Sequence, residues 1–298
     1  MNTNRLGVAL LILQCSFSIP VMAQAPFPPF DRDQYPIVNS VAFSANGDEL
    51  FFAVLYHSFL ESRGLPTEGA PETAMFSMQR DGMLWSDPQL MSFSGQYQDY
   101  EPTLSADGQL IIFNSRRPYA DGRQPEINDL WMSTRGDDGE WGIPERILPI
   151  TSFLNEESYA SLGSDNQLIY MRSNDEPSGH VQYDLYYTRM DGGSFQRAQR
   201  HPASSAEYGE GDPWLARDGS YLIYTRWDDD IGWADSVDLY ASFFDGQTWS
   251  EPVALAELNT PAAEFGVAVS ADEQWLHYYQ DSRILTVPLQ PILEQYRP

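Results

Sequence analysis

Four acidic residues recur at one place in a repeated phrase. Asp99, Glu157, Glu210 and Glu264 each lie eight residues before the aspartate of a tight-turn motif, at Asp107, Asp165, Asp218 and Asp272. Val38, eight residues before Asn46, breaks the column in the first copy. Carboxylates gathered about 8 Å apart repel by about 2 kcal/mol at an effective dielectric near 20, so such a set needs cations, protons or basic partners. Arg116, Arg172 and Arg226 stand at the ends of the strands that follow and can supply them. Two carboxyl groups with separated pKa values are what glycoside hydrolysis uses. Recurrence in four of the five copies argues instead for a salt-bridge or backbone hydrogen-bond ring, because a catalytic pair breaks the symmetry of its repeat. The acids that do break it are Glu61, Glu126, Glu176 and the run Asp228-Asp229-Asp230, all in loops, where a charge run reads as a solvated face.

Other chemistry is sparse. The histidines are His57, His180, His201 and His277, with no pair at ligand spacing. Only His57 and His180 fall in or at long loops and could converge. Hard oxygen ligands favour Ca²⁺ over zinc, but no calcium-loop pattern is present. The expectation is therefore no cofactor, a carboxylate-bound Ca²⁺ being the one open alternative. Tyr119, Trp227 and Trp233, with Tyr56, Phe59, Tyr100, Tyr208 and Phe265, could stack on sugar rings or hold a peptide; packing of the loops is the plainer reading. No phosphate-cradling glycine loop and no Gly-x-Ser-x-Gly elbow occurs.

The elements that must hold these residues are legible as a repeat. A small residue, an Asp- or Asn-centred turn and an apolar strand recur from Ser44-Ala45-Asn46-Gly47, with steps from Asn46 to Asp107, Asp165, Asp218 and Asp272 of 61, 58, 53 and 54 residues. Asp129-Leu130-Trp131, Asp184-Leu185-Tyr186 and Asp238-Leu239-Tyr240 follow in register. Then come Trp85-Ser86-Asp87-Pro88, Trp141-Gly142-Ile143-Pro144 and Trp249-Ser250-Glu251-Pro252, each behind an Asp-Gly turn. Asp-Gly between apolar runs marks a tight hairpin, since glycine supplies the positive φ. Each unit reads as strands A, B, C and D, and four-stranded units of this length are propeller blades. The expected fold is all-β, a single five-bladed β-propeller. Six blades would result if Leu55–Thr73 concealed strands. Helical periodicity is confined to Ile292–Tyr296. The fifth unit lacks its strand D, and Pro26–Ile37 is expected to supply it and close the ring, removing exposed edges.

The chain has 298 residues, 17 Lys+Arg against 43 Asp+Glu, a net charge of −26, 42% hydrophobic residues and one cysteine. A charge of that sign excludes nucleic acid as a partner, because polyphosphate binding needs a basic surface. Cys15 alone can form neither an intrachain disulfide nor a zinc cage. Residues 1–25 read as a signal peptide, with Arg5, the apolar run Leu6–Leu13 and Ala23-Gln24-Ala25 as the cleavage pattern. That run is too short to span a bilayer. The expectation is one exported domain over residues 26–298, periplasmic or secreted, monomeric and without a membrane span.

The Ser-x-Asp-Gly, Asp-Leu-Tyr and Trp-Ser-x-Pro phrases resemble the WD-repeat-like propeller repeat of TolB-type periplasmic proteins, over nearly the whole chain after residue 25. The resemblance implies a propeller and leaves the activity open, since such repeats occur in binding proteins, beside peptidases and in some polysaccharide lyases. Blade geometry puts the short A–B and C–D turns on one end and the long B–C and D–A loops on the other, where binding groups usually lie. The acidic column, its arginines, His57, His180, Tyr119, Trp227 and Trp233 are thus expected around the channel mouth. Two functions follow as expectations. The first is a non-catalytic binding or scaffolding propeller whose loop face holds a protein, peptide or glycan. The alternative is a carbohydrate-active enzyme, hydrolase or lyase, with a carboxylate-lined site.

Overall fold

The computed structural model describes residues 35, 37–82, 84–175, 181–281 and 283–298. Residues 1–25 lie outside them, as does most of Pro26–Ile37: of that segment only Tyr35 and Ile37 are described. Five antiparallel sheets follow one another along the chain. Strands A are Ile37–Phe43, Asp99–Leu104, Glu157–Leu162, Tyr208–Leu215 and Phe265–Val269. They touch in a closed cycle, the first against both the second and the fifth. The fold is a five-bladed β-propeller with strands A innermost.

The turn motif explains itself in hydrogen bonds. Ser105 Oγ donates to Asp107 Oδ1 (2.6 Å) and accepts from Leu110 N (2.9 Å), while Asp107 Oδ1 accepts from Gln109 N (3.0 Å). Gly108 then turns the chain at φ 69°. Ser270 and Asp272 repeat the arrangement before Trp275. The Trp-Ser-x-Pro phrase also has a physical reason. Ser86 N donates to Gln79 O, and Ser86 Oγ accepts from Gln79 N (3.0 Å), so a side chain replaces one rung of the ladder. Proline, lacking an N–H, then interrupts the strand. Strand D of blade 1 is accordingly two short pieces, Leu84–Trp85 and Gln89–Leu90.

Leu55–Thr73 holds a helix, α1 (Tyr56–Glu61), and a loop rather than a further pair of strands, which removes the six-blade alternative. A second short helix, α2 (Trp233–Ser236), lies in the B–C loop of blade 4. The C-terminal helix, α3 (Leu289–Tyr296), is two turns long, beginning earlier than its periodicity indicates because Leu289 packs on blade 5. Among the described residues blade 5 has three strands, ending in Arg283–Pro288. No helix among them is long and apolar enough to cross a membrane.

Apolar clusters fill each of the five gaps between neighbouring blades. Phe51, Met75, Ile111 and Phe113 fill the gap from blade 1 to 2, and Ile112, Leu130, Leu168 and Tyr170 that from 2 to 3. Ile169, Leu185, Leu222 and Tyr224 fill the gap from 3 to 4, and Ile223, Leu239 and Leu276 with α3 that from 4 to 5. Leu50, Phe52 and Ala268 close the ring. Phe113 is fully buried and stacks on Phe93 at 5.0 Å. Truncating Phe113→Ala is expected to cost about 3–5 kcal/mol, and Leu84→Ala, at a position 77% exposed, less than about 0.5 kcal/mol. Urea denaturation measures both.

Candidate functional site

The four carboxylates of the column are fully buried at the loop-face ends of strands A, beneath the D–A loop of their own blade, and do not ring an open mouth. Glu157 Oε2 accepts from Ser152 N (2.9 Å), Glu210 Oε1 from Ser205 N (3.1 Å) and Glu264 Oε2 from Thr260 N (3.2 Å). Asp99 accepts from Ser94 Oγ (2.9 Å) and Ser115 Oγ (2.7 Å). Each also faces a strand-B partner across the ladder: Glu157 opposite Arg172 (3.5 Å) and Glu210 opposite Arg226 (3.1 Å). Glu264 takes Gln280 Nε2 (2.6 Å). In blade 2 Ser115 occupies the arginine position, so Arg117, two residues on, folds back to Asp99 (2.8 Å). Arg116, the residue expected to reach it, binds Asn128 instead (3.1 Å). These side-chain ion pairs run within blades, while the backbone ties neighbours: Glu157 N donates to Asn128 O (3.2 Å) and Glu264 N to Val237 O (3.3 Å) of the preceding blade.

Burial and pairing act against each other here. Loss of water pushes Glu157 and Glu210 up to about 8, outweighing the nearby Arg172 and Arg226, and Asp99 up to about 6 against Arg117. Glu210 shows why: Oε1 takes both hydrogen bonds and Oε2, also buried, takes none.

The second acidic column, Asp129, Asp184 and Asp238, opens strand C in blades 2 and 4 and lies just inside Val181–Asp191 in blade 3. Asp129 pairs with Arg146 (3.0 Å) and Asp184 with Arg200 (2.7 Å), both from strand D. Blade 4 carries Ala254 in the arginine position, and burial, with Glu264 nearby, raises the Asp238 pKa.

The remaining expected site residues scatter over the loop face. His57 Nε2 bonds Ala70 O (2.7 Å) beside α1, and His180 lies outside the described residues. Tyr119 packs edge-on to Phe153 at 4.9 Å with the Arg146 guanidinium 4.4 Å over its ring, and burial and Asp129 push its hydroxyl up to about 12. Trp227 is buried against Gly209, where an added Cβ would lie 2.2 Å from the indole, and packs with Met171 and Val237. Trp233, on α2, is 40% exposed and packs edge-on to Phe265 at 5.0 Å. Among the described residues no group of three or more His, Cys, Asp or Glu is placed to hold a metal ion.

Sequence reasoning passed over a different set. Two residues after the column stand Glu101, Tyr159, Asp212 and Gly266, at the bulge where each strand A loses register with strand B. All four have left-handed backbone, φ 54°, 51°, 42° and 66°, which costs a non-glycine residue energy. They line the central cavity with Thr103 and Pro213. Asp212 accepts from Gly266 N (3.2 Å), tying blade 4 to blade 5, and burial pushes it up to about 6. Here the blades differ chemically, the asymmetry that the acidic column lacks. The position was open to inspection in the repeat, but an extended-strand reading gives no cue to the bulge that turns it inward. The cavity holds about 80 Å³, space for a few waters and far below the roughly 300–1,000 Å³ of ligand pockets.

No family model and no curated protein matches the chain. Solved structures do, at the level of fold. An α-L-arabinanase of Penicillium chrysogenum, complexed with arabinobiose, aligns at TM-score 0.52 and 14% identity over 82% of this chain and 72% of its own. A structure described as TolB from Agrobacterium tumefaciens aligns at 0.49 and 11% identity over 82% and 70%. A Trypanosoma rangeli sialidase bound to the inhibitor DANA aligns at 0.46 and 15% identity over 86% and 49%. At these identities the likeness is one of β-propeller architecture.

A stability profile follows from the buried acids. A carboxyl group whose folded pKa lies above its unfolded value holds its proton longer in the folded state, so stability falls as pH rises from the unfolded toward the folded value. Between pH 6.5 and 8 Glu157 and Glu210 each lower stability by on the order of 1 kcal/mol. Glu210→Gln is expected to flatten that slope in thermal melts, while Glu210→Ala, which strands Arg226, lowers stability by about 3 kcal/mol.

Proposed function

We propose that the chain is an exported, non-catalytic binding or scaffolding propeller that holds its partner on the B–C and D–A loop face. One observation carries this reading: six large apolar residues of those loops are left in water, in addition to others, Ile143 and Leu84 among them, along the outer strands. Leu65, Leu148, Phe153, Leu154, Ile231 and Trp233 are between 40% and 82% exposed, all on B–C or D–A connections. Where exposed apolar side chains adjoin and are rimmed by polar ones, they mark an interaction surface. Ile231 and Trp233 sit beside the acidic run Asp228–Asp230 and Asp235, which favours a protein or peptide partner with basic groups around an apolar centre.

The arrangement of the acids supports the same choice over a carbohydrate-active enzyme. The column carboxylates are used inside the blades, where they pin the D–A loops. The asymmetric acids Glu101 and Asp212 border a cavity too small for a sugar ring. The signal-peptide pattern, and the fold it precedes, support export.

A thermal-shift panel of basic peptides and of neutral and acidic oligosaccharides tests the proposal, with mass spectrometry of each recovered ligand. Stabilisation by a basic peptide that is recovered intact, and its loss in Phe153→Asp, is expected. Cleaved oligosaccharide, with cleavage abolished in a folded Asp212→Asn variant, would establish the enzyme in its place.

A further inference from the structure

The outer ends of the gaps between blades are plugged in different ways, and one is open. Between blades 1 and 2, Arg135 of strand C reaches across to Glu49, with Nη1 and Nη2 each 2.9 Å from a carboxylate oxygen. Its guanidinium lies 4.4 Å over the ring of Trp141. Between blades 2 and 3 the plug is apolar, Leu110 with Met190 and Phe195. Between blades 4 and 5 it is α3, through Leu289, Ile292 and Leu293.

Between blades 3 and 4 the ladder puts Gln167 where Glu49 stands in blade 1, and Phe244 where Arg135 stands in blade 2; Trp249 matches Trp141. The glutamine and phenylalanine leave a cavity of about 760 Å³ that both of them line, well within the range of ligand pockets. Its walls are aromatic. Trp249 lies 5.3 Å from Phe244 and 4.7 Å from His201, and Tyr187 and Phe244 are each more than a third exposed. Asp165 and Asp218 stand at its turn end, and among the described residues no lysine or arginine lines it. The site is on the turn side of the ring and does not depend on the loop-face reading.

We propose that this gap is a docking site for an extended peptide segment carrying an arginine, whose guanidinium occupies over Trp249 the place that Arg135 occupies over Trp141. Arginine suits it because a planar, weakly hydrated cation stacks on an indole face and pairs with carboxylates at the same time. The apolar floor of Ile169 and Leu215 receives the flanking aliphatic residues.

Fluorescence polarisation with a labelled Ser-Leu-Arg-Leu-Ser peptide tests this on the whole protein, with a twin carrying Glu for Arg, and maltohexaose as the glycan competitor. The arginine peptide is expected to bind and its twin not to. Gln167→Glu with Phe244→Arg rebuilds the plug of the first gap and is expected to weaken the peptide at least tenfold while the melting temperature holds or rises. Asp218→Asn, at an exposed position, is expected to weaken it severalfold and to reduce its salt dependence. Failure of the native protein to bind the arginine peptide, equal binding of the glutamate twin, displacement by maltohexaose, or undiminished binding by the folded double variant would each overturn the proposal. Should the double variant not fold, undiminished binding by both Asp218→Asn and Phe244→Ala decides against it.

Discussion

A small twisted sheet has two faces, and in this chain each face can be covered only by the next sheet. That requirement organises the molecule. It sets the closed cycle of strands A, fills every gap with apolar side chains, and leaves the edges of the gaps as the places where blades are free to differ. The differences are large: an ion pair on a tryptophan, a methionine and a phenylalanine, a helix, and an open cleft. The core is repetitive because packing demands it. Individuality is confined to the rims, which is where recognition can evolve without disturbing the ring.

The buried carboxylates show how a local need can look like chemistry. A D–A loop leaving the outer strand and entering the inner one has backbone N–H groups with no ladder to join. A carboxylate at the entry to strand A accepts from them, as at Ser152, Ser205 and Thr260. The cost is desolvation, and the raised pKa values record it. The strand-B arginine offsets that cost only in part. Where it is missing the blade finds substitutes, Arg117 and Ser115 in blade 2 and Gln280 in blade 5.

The parts of the structure legible in the sequence are those specified by short-range rules. Ser-x-Asp-Gly fixes its turn through bonds spanning five residues, and Trp-Ser-x-Pro fixes the break in strand D, so blade number and strand order could be read directly. The column of acids was also visible, but its burial was not, because that depends on how the D–A loop folds over it. Arg116 and Arg117 are adjacent, and only the identity of Ser115 opposite Asp99 decides which of them turns inward. Glu101, Tyr159 and Asp212 escaped notice because a bulge with left-handed backbone leaves no periodic trace. α1 was hidden for a similar reason: six residues are too few for helical periodicity to show.

Arg217 sits at the turn end of the central cavity, its Nη1 donating to Ala45 O of blade 1 (3.1 Å) while its own carbonyl accepts from Ser164 N of blade 3 (2.8 Å). One residue of the fourth blade thereby touches a unit that is not its neighbour along the chain. Linear repeat arrays lack such a strut, and their units loosen one at a time from the ends. A spoke across the axis couples opposite sides of the wheel, so that opening at one seam is felt at the hub.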